Sequence, residues 1–463
     1  MNRRELLGAA AASAMLAGPA AAAAPTPAPS RRQPNFVIVL CDDLGYGDVS
    51  PYGGKIPTPA IARMAREGVV LTDYYAPANL CSPSRAGLLT GRYPVRTGLG
   101  FEVIMQPEER GLPLSEVTIA RALKPAYASG LFGKWHLGHR GASWPPTRHG
   151  FDAFFGIPYS HDMAPLTLCE SHAGSDAVTE TPPVMANLQQ DFYAHAEAFI
   201  EAHVRADRDR PFFVELALSA PHLPEHPHAG FDQQTFAGPY GAVVEEIDAI
   251  VGRLLARLTA LGVARDTVVV FTSDNGPWFE GSPGWLRERK GGGAYDGGYR
   301  VPCIVWAPGR LPGGRRVSSI AMGVDFLPTF LAMAGLPPPA GVTLDGRDLS
   351  AVLKAGAPSP HEALILFDGE VPIGVRTQRW KYVESLYYRG AMTSPLAARG
   401  YEQLYDLEAD PSENYSVALT HPEVAKALRE RLAAAKAEFA PYRKGTPPYF
   451  RDLFAARAAR LQD

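Results

Sequence analysis

The chain has 463 residues, 46% of them hydrophobic, enough for a large core and for two or three domains. Its 45 Lys and Arg nearly balance 48 Asp and Glu, and a net charge of −3 removes the electrostatic case for nucleic acid or an anionic membrane as partner. Four cysteines, Cys41, Cys81, Cys169 and Cys303, are too few and too scattered for a disulfide framework or a CxxC metal site.

Residues 1–33 read as an export signal and spacer. Asn2-Arg3-Arg4-Glu5-Leu6-Leu7 precedes an Ala-rich apolar run that ends in small residues at Ala20 to Ala24. The Arg3-Arg4 pair raises a twin-arginine signal, and the expected location is exported, periplasmic or secreted. No later stretch is long and apolar enough to span a bilayer.

Asn35 to Cys41 is a continuous apolar run, the mark of a strand buried on both faces, and it ends abruptly in Asp42-Asp43. Adjacent carboxylates at a strand end repel each other and either form a solvated turn or hold a cation. Thr58-Pro59 opens a helix with a capping hydroxyl, and Gly68 closes it. Val69 to Tyr75 reads as a short strand leading to a helix from Cys81 to Gly91, with Pro83 in its first turn and Gly91 at its end. Cys81 then sits at the helix N-terminus, where free N–H groups and the dipole favour an anion, and Arg85 shares its face.

Ser115 to Leu123 reads as a helix and Tyr127 to Phe132 as a strand delivering Lys134 and His136. Pro211 to Leu218 is a strand ending before His222, and Tyr240 to Leu261 carries the clearest helical stripe. Thr267 to Thr272 is a strand ending in Ser273-Asp274-Asn275-Gly276. Alternating strands and helices imply an α/β fold, a mostly parallel central sheet with helices on both faces, whose C-terminal strand ends share one edge. Ligands bind at that edge. Asp42, Asp43, Lys134, His136, His222, Asp274 and Asn275 each follow such an end, whereas chance would scatter them over both edges.

A Gly-rich loop spans Gly291 to Gly298, followed by a strand at Val301 to Ala307 and a helix at Asp325 to Ala334. Beyond about residue 356 the pattern changes. Short strands at Ala363 to Phe367, Ile373 to Arg376, Lys381 to Glu384 and Gln403 to Leu407, then a helix from Pro422 to Phe439, form a smaller C-terminal α+β subdomain (356–463) beside the catalytic domain (34–355). The loops Leu166 to Gln190, Trp278 to Arg289 and Pro372 to Arg399 are expected to build the pocket rim. Trp278, Phe279 and Trp285 either stack on a sugar or aryl ring or belong to the core.

Three carboxylates and an amide oxygen, from Asp42, Asp43, Asp274 and Asn275, form a hard-cation set that favours Ca2+, with Mg2+ possible, over zinc. Arg85, Lys134 and Lys290 add positive charge, and His136 and His222 offer an acid and a base. A dication and several cations around one nucleophile suit hydrolysis of a sulfate or phosphate ester.

Cys81-Ser82-Pro83-Ser84-Arg85, with Leu89-Thr90-Gly91-Arg92, resembles the signature of the type I, formylglycine-dependent sulfatases of the alkaline phosphatase superfamily. Asp42-Asp43-Leu44-Gly45, Gly133 to Gly138, Pro221-His222 and Ser273 to Gly276 match the family's other blocks in order. Gly156 to Asp162 is similar to the arylsulfatase A branch. The resemblance implies an alkaline-phosphatase-like fold and conversion of Cys81 to formylglycine by a formylglycine-generating enzyme. It further implies attack on sulfur by the hydrated aldehyde, with Lys134, Lys290 and His222 holding the sulfate of a small-molecule or glycan ester. His222 would protonate the leaving alcohol, His136 would help expel sulfate, Arg85 would orient the diol and Ser160 would sit near it. Ca2+ would be bound by Asp42, Asp43, Asp274, Asn275 and the Cys81-derived oxygen. One block departs: Lys-Gly-Thr-Thr-x-Glu-Gly-Gly appears as Lys290-Gly-Gly-Gly-Ala-Tyr-Asp296-Gly-Gly, with one residue more between lysine and acid. A phosphonate or phosphate monoester hydrolase of the same superfamily, and an inactive sulfated-glycan-binding protein, are the competing readings.

Overall fold

The computed structural model describes residues 32–231, 235–384 and 402–460. The expected export signal lies outside the described residues but for its last two positions, as does the later part of the Pro372 to Arg399 rim. No helix among the described residues is long and apolar enough to cross a membrane.

One ten-stranded sheet organises the molecule. At its centre Thr267–Ser273, Asn35–Asp42, Phe212–Pro221, Ala128–Lys134 and Ala153–Ile157 run parallel, in that order. Alternation along the first strand explains its unbroken apolar run. Phe36, Ile38 and Leu40 enter one buried cluster, while Val37, Val39 and Cys41 enter another on the opposite face. The expected strand at Val301 to Ala307 forms over Cys303–Trp306 and runs antiparallel to both neighbours.

Several expected elements differ in extent. The run Val69 to Tyr75 breaks into Val69–Leu71 and Tyr74–Tyr75, because Asp73 between them pairs with Arg376 at 2.8 Å and Arg300 at 3.2 Å. The helix near residue 115 starts only at Ile119, where the Thr118 hydroxyl accepts the Arg121 N–H at 3.1 Å. Thr58 does not cap the helix Pro59–Glu67, since its hydroxyl is held by Ser50. Asp248, from the helix Gly238–Ala260, accepts the Ala60 and Ile61 N–H groups at 3.1 and 2.8 Å instead. The segment Leu166 to Gln190, expected as a loop at the pocket rim, instead forms the edge strands Leu168–His172 and Thr179–Thr181 and enters a helix, Leu188–Ala206, and none of it lines the cavity described below. That helix buries Leu188, Phe192, Ala196 and Ile200, one every fourth residue.

In the C-terminal part Leu364–Asp368, Val371–Arg376, Trp380–Val383 and Gln403–Asp406 form an antiparallel sheet covered by the helix Pro422–Phe439. It shares a core with the rest of the chain, in which Tyr75, Val95 and Tyr299 pack with Leu364, Leu366 and Phe439. Lys381, fully buried, pairs with Asp296 and with Glu413 at 2.8 Å. The four cysteines are free and buried.

Glu215 is the outlier of the central sheet. It stands in register with Ile38 and Leu131, and its Oε2 is buried without a partner. Burial pushes its carboxyl from 4.5 up to about 7, against the opposing pull of Arg85. Between those values the folded chain keeps a proton that the unfolded chain has released, so this group's contribution to stability is present below pH 4.5 and lost as pH rises through 7. Glu215→Gln removes that dependence. Urea unfolding between pH 4.5 and 8 should show the variant gaining on the wild type by up to about 3 kcal/mol, and a pH-independent difference would contradict the assignment.

Candidate active site

Four parallel strands end on one edge and deliver the residues singled out above. Asp42 closes Asn35–Asp42 and Lys134 closes Ala128–Lys134, with Asp43 and His136 just beyond. His222 follows Phe212–Pro221, and Asp274 and Asn275 follow Thr267–Ser273. The helix Cys81–Thr90, buried at every residue, points its N-terminus at the same place and ends at Gly91 in the left-handed region, φ 67°. Leu80 supplies no side-chain cap, so the dipole's positive end faces the cluster.

Cys81 Sγ lies 3.5 Å from Asp42 Oδ1 and 3.9 Å from Asp43 Oδ1. Lys134 Nζ donates to Asp42 Oδ2 at 2.5 Å and Lys290 Nζ to Asp43 Oδ2 at 2.8 Å. The extra residue after Lys290 is absorbed by Gly291 and Gly293, at φ 71° and 67°, and the lysine reaches the cluster. Arg85 donates from Nε to Asp274 Oδ2 and from Nη1 to the Lys134 carbonyl, both at 2.8 Å. It is thus a clamp on carboxylates rather than a free cation.

The two histidines differ in environment. His222 Nδ1 sits 2.6 Å from the Leu223 carbonyl, which fixes Nδ1 as the donor and turns Nε2 toward Asp43 Oδ2 at 3.7 Å. His136 Nε2 is 3.0 Å from the Ile104 carbonyl, leaving Nδ1 buried without a partner. Burial, then Lys134 and Arg85, hold the His136 imidazole well below its usual range, so its Nδ1 is a lone-pair acceptor at neutral pH. Both His136 and Asp43 adopt left-handed backbone, φ 56° and 65°, a strain of the kind that clusters where geometry is over-determined. Ser160 Oγ is likewise buried and unpartnered.

The oxygens at the centre fit a divalent cation. One ligand atom each from Asp42, Asp43, Cys81 and Asp274 lies within 4.8 Å of the others, and Asn275 Oδ1 is buried without a hydrogen bond. Asn275 Nδ2 donates to Asp43 Oδ1 at 2.7 Å, which turns that carbonyl oxygen away from Asp43. Burial, with Asp42 close by, pushes the Asp274 carboxyl up to about 7 despite Arg85. Burial also opposes ionisation of Asp42, yet Lys134, His222, Arg85 and Lys290 hold it well below the usual carboxylate range. Crowded acids of this kind, with an orphaned carbonyl oxygen among them, match a hard cation with oxygen ligands.

A cavity of about 600 Å3 opens above the cluster, reached by Asp43, Cys81, His136, Ser160, His222 and Lys290. Much of its wall was not foreseen from the sequence. Glu102 to Pro107, apart from Ile104, and Asp162 to Ala164 line it, and of the expected aromatics only Trp278 does. Ile104 ties the first of these segments to the site, giving its N–H to Ser82 Oγ at 3.0 Å and its carbonyl to His136. Trp285 packs against Tyr46 and under the Arg300 guanidinium.

The Sulfatase family model matches residues 34–336, and the model of the N-sulphoglucosamine sulphohydrolase C-terminal region matches residues 281–438. Arylsulfatase A of Homo sapiens is 37% identical over 446 residues, covering 86% of this chain and 87% of that protein. Steryl-sulfatase of Mus musculus is 33% identical, covering 91% of this chain and 86% of its own length. The crystal structure of the PsFucS1 sulfatase from Pseudoalteromonas sp. superposes with a TM-score of 0.79 at 26% identity, over 90% of this chain and 92% of that one.

Proposed function

Because the chain belongs to the sulfatase family and is a sulfuric ester hydrolase, we propose that it cleaves sulfate monoesters to alcohol and inorganic sulfate at the Cys81 cluster. The observation that carries this reading is Cys81 at a helix N-terminus, 3.5 Å from Asp42, with Lys134, Lys290 and His222 gathered round the same carboxylates.

Matured to formylglycine by a formylglycine-generating enzyme, residue 81 supplies a hydrated aldehyde, an oxygen nucleophile that can later collapse to release sulfate. Asp42, Asp43, Asp274, Asn275 and residue 81 would hold the cation, Ca2+ by its oxygen ligands with Mg2+ as the smaller alternative, and it would offset the negative charge of the ester. Lys134 and Lys290 bind sulfate oxygens as compact charges. His222, with Nδ1 fixed by the Leu223 carbonyl, delivers a proton from Nε2 to the departing alcohol. His136 Nδ1 takes a proton from residue 81 when sulfate is released. Arg85 keeps the carboxylates in place, and Ser160 offers a hydroxyl at the cavity wall. The protein works after export, in a periplasmic or extracellular space.

The test compares 4-nitrophenyl sulfate with an aryl phosphonate on the matured protein. Sulfate should turn over faster, and faster phosphonate turnover would overturn the reading. Chelation should abolish activity and Ca2+ should restore it; full activity after exhaustive metal removal would exclude the cation. Mass spectrometry of the peptide spanning residue 81 should find the aldehyde.

A further inference from the structure

The cavity changes character away from the charged cluster. Leu80, Val103, Met105, Met163, Leu223 and Trp278 give its wall an apolar stretch. Side-chain polarity among the lining residues outside the catalytic ones is confined to Glu102, Gln106, Asp162 and the indole N–H of Trp278. Among the described residues Lys290 is the only Lys or Arg lining it, and that lysine is paired with Asp43. At the mouth Trp278 is 42% exposed and stacks edge-on against Phe279, 71% exposed, with ring centroids 4.8 Å apart. A large aromatic pair left in water marks a contact surface more often than a core.

Resting on the sulfatase reading, we propose that the alcohol part of the substrate is an apolar ring system bearing a single sulfate, seated against the Leu80, Met105, Met163 and Trp278 wall, and that Glu102 and Asp162 exclude substrates with a second anionic group. A pyranose would bury several hydroxyls against a wall that is largely apolar, where only Glu102, Gln106, Asp162 and the Trp278 indole N–H offer side-chain partners, and each hydroxyl left unmet costs free energy. An apolar ring loses nothing there and gains contact with two methionines whose flexible side chains adapt to its shape. A second sulfate would meet two carboxyl groups and no unpaired cation among the described residues lining the cavity. The volume, about 600 Å3, accommodates a fused-ring alcohol beside the sulfate.

Cyclohexylmethyl sulfate and glucose 6-sulfate are both six-membered rings with a primary sulfate, so leaving-group reactivity is nearly matched. The matured protein should favour the former in kcat/KM by about 10- to 200-fold, the range over which hydrophobic pockets discriminate. Trp278→Ala should shrink that ratio about tenfold. The double variant Glu102→Gln, Asp162→Asn should raise the ratio of kcat/KM for glucosamine 2-N,6-O-disulfate over glucosamine 6-sulfate. Preference for glucose 6-sulfate, or variants that leave both ratios unchanged, would overturn this inference while 4-nitrophenyl sulfate turnover upholds the sulfatase reading. Absence of turnover on every sulfate ester would overturn both.

Discussion

Cys81→Ala should lower kcat/KM for 4-nitrophenyl sulfate by roughly a millionfold, the scale seen when a nucleophile acting as a unit with its neighbours is removed. The lysines, His222 and the carboxylates would stay where they are, because beyond the long thiol contacts of Asp42 and Asp43 they are held by shorter bonds to one another and to backbone. The fold should survive as well. Cys81 contributes one small side chain to a fully buried helix whose other residues remain packed, so circular dichroism and the melting temperature should change little. A rate loss under tenfold would show that residue 81 is not the nucleophile and would remove the premise of the proposed chemistry. Cys81→Ser is the sharper variant. It restores an oxygen at the same place without the second hydroxyl, so multiple turnover should remain abolished.

The second large effect is on stability. Arg85→Leu should cost about 3–5 kcal/mol in urea unfolding, the penalty for removing one partner of a buried ion pair. The side chain is 1% exposed and bonds Asp274 through Nε and the Lys134 carbonyl through Nη1, with Nη2 3.6 Å from Asp42. Without it Asp42 and Asp274 face each other with less positive charge between them. Arg85→Lys should recover only part of the loss, since a single ammonium cannot reach all three acceptors at once. A loss below 1 kcal/mol would mean that another cation already neutralises the pair.

What could be read in the sequence followed from how directly local chemistry sets structure. The double-faced apolar run at Phe36 to Cys41, the Cys81 helix with its Gly91 end and the helix Pro422–Phe439 were legible because each is set by its own residues. The convergence of Asp42, Lys134, His222 and Asp274 was legible because parallel connections leave little choice of edge. Other features depend on distant partners. Asp73 breaks a strand only because Arg300 and Arg376 arrive to pair with it, and Asp248 caps a helix far away in sequence. The wall from Glu102 to Pro107 lacks regular structure, and its link to the site is a backbone group of Ile104, which no side-chain pattern announces. The helix Leu188–Ala206 is a different case: its stripe of Leu188, Phe192, Ala196 and Ile200 was present in the sequence, but Leu188 lay in a segment read as a loop and the other three were assigned to no element.

The burial of Cys81 also has a meaning in the order of synthesis. Its thiol is closed in by Lys134, His222, Asp274 and Lys290, all made later, at the ends of strands that must pair or, for Lys290, in a loop beyond them, before the enclosure exists. A ribosome that has just released residue 81 therefore displays it on an open chain, and the thiol becomes secluded only once the segment through Lys290 has emerged and folded back. Any enzyme that must grip the residues around Cys81 has that interval in which to act, and a folded molecule that missed it would keep a sequestered thiol.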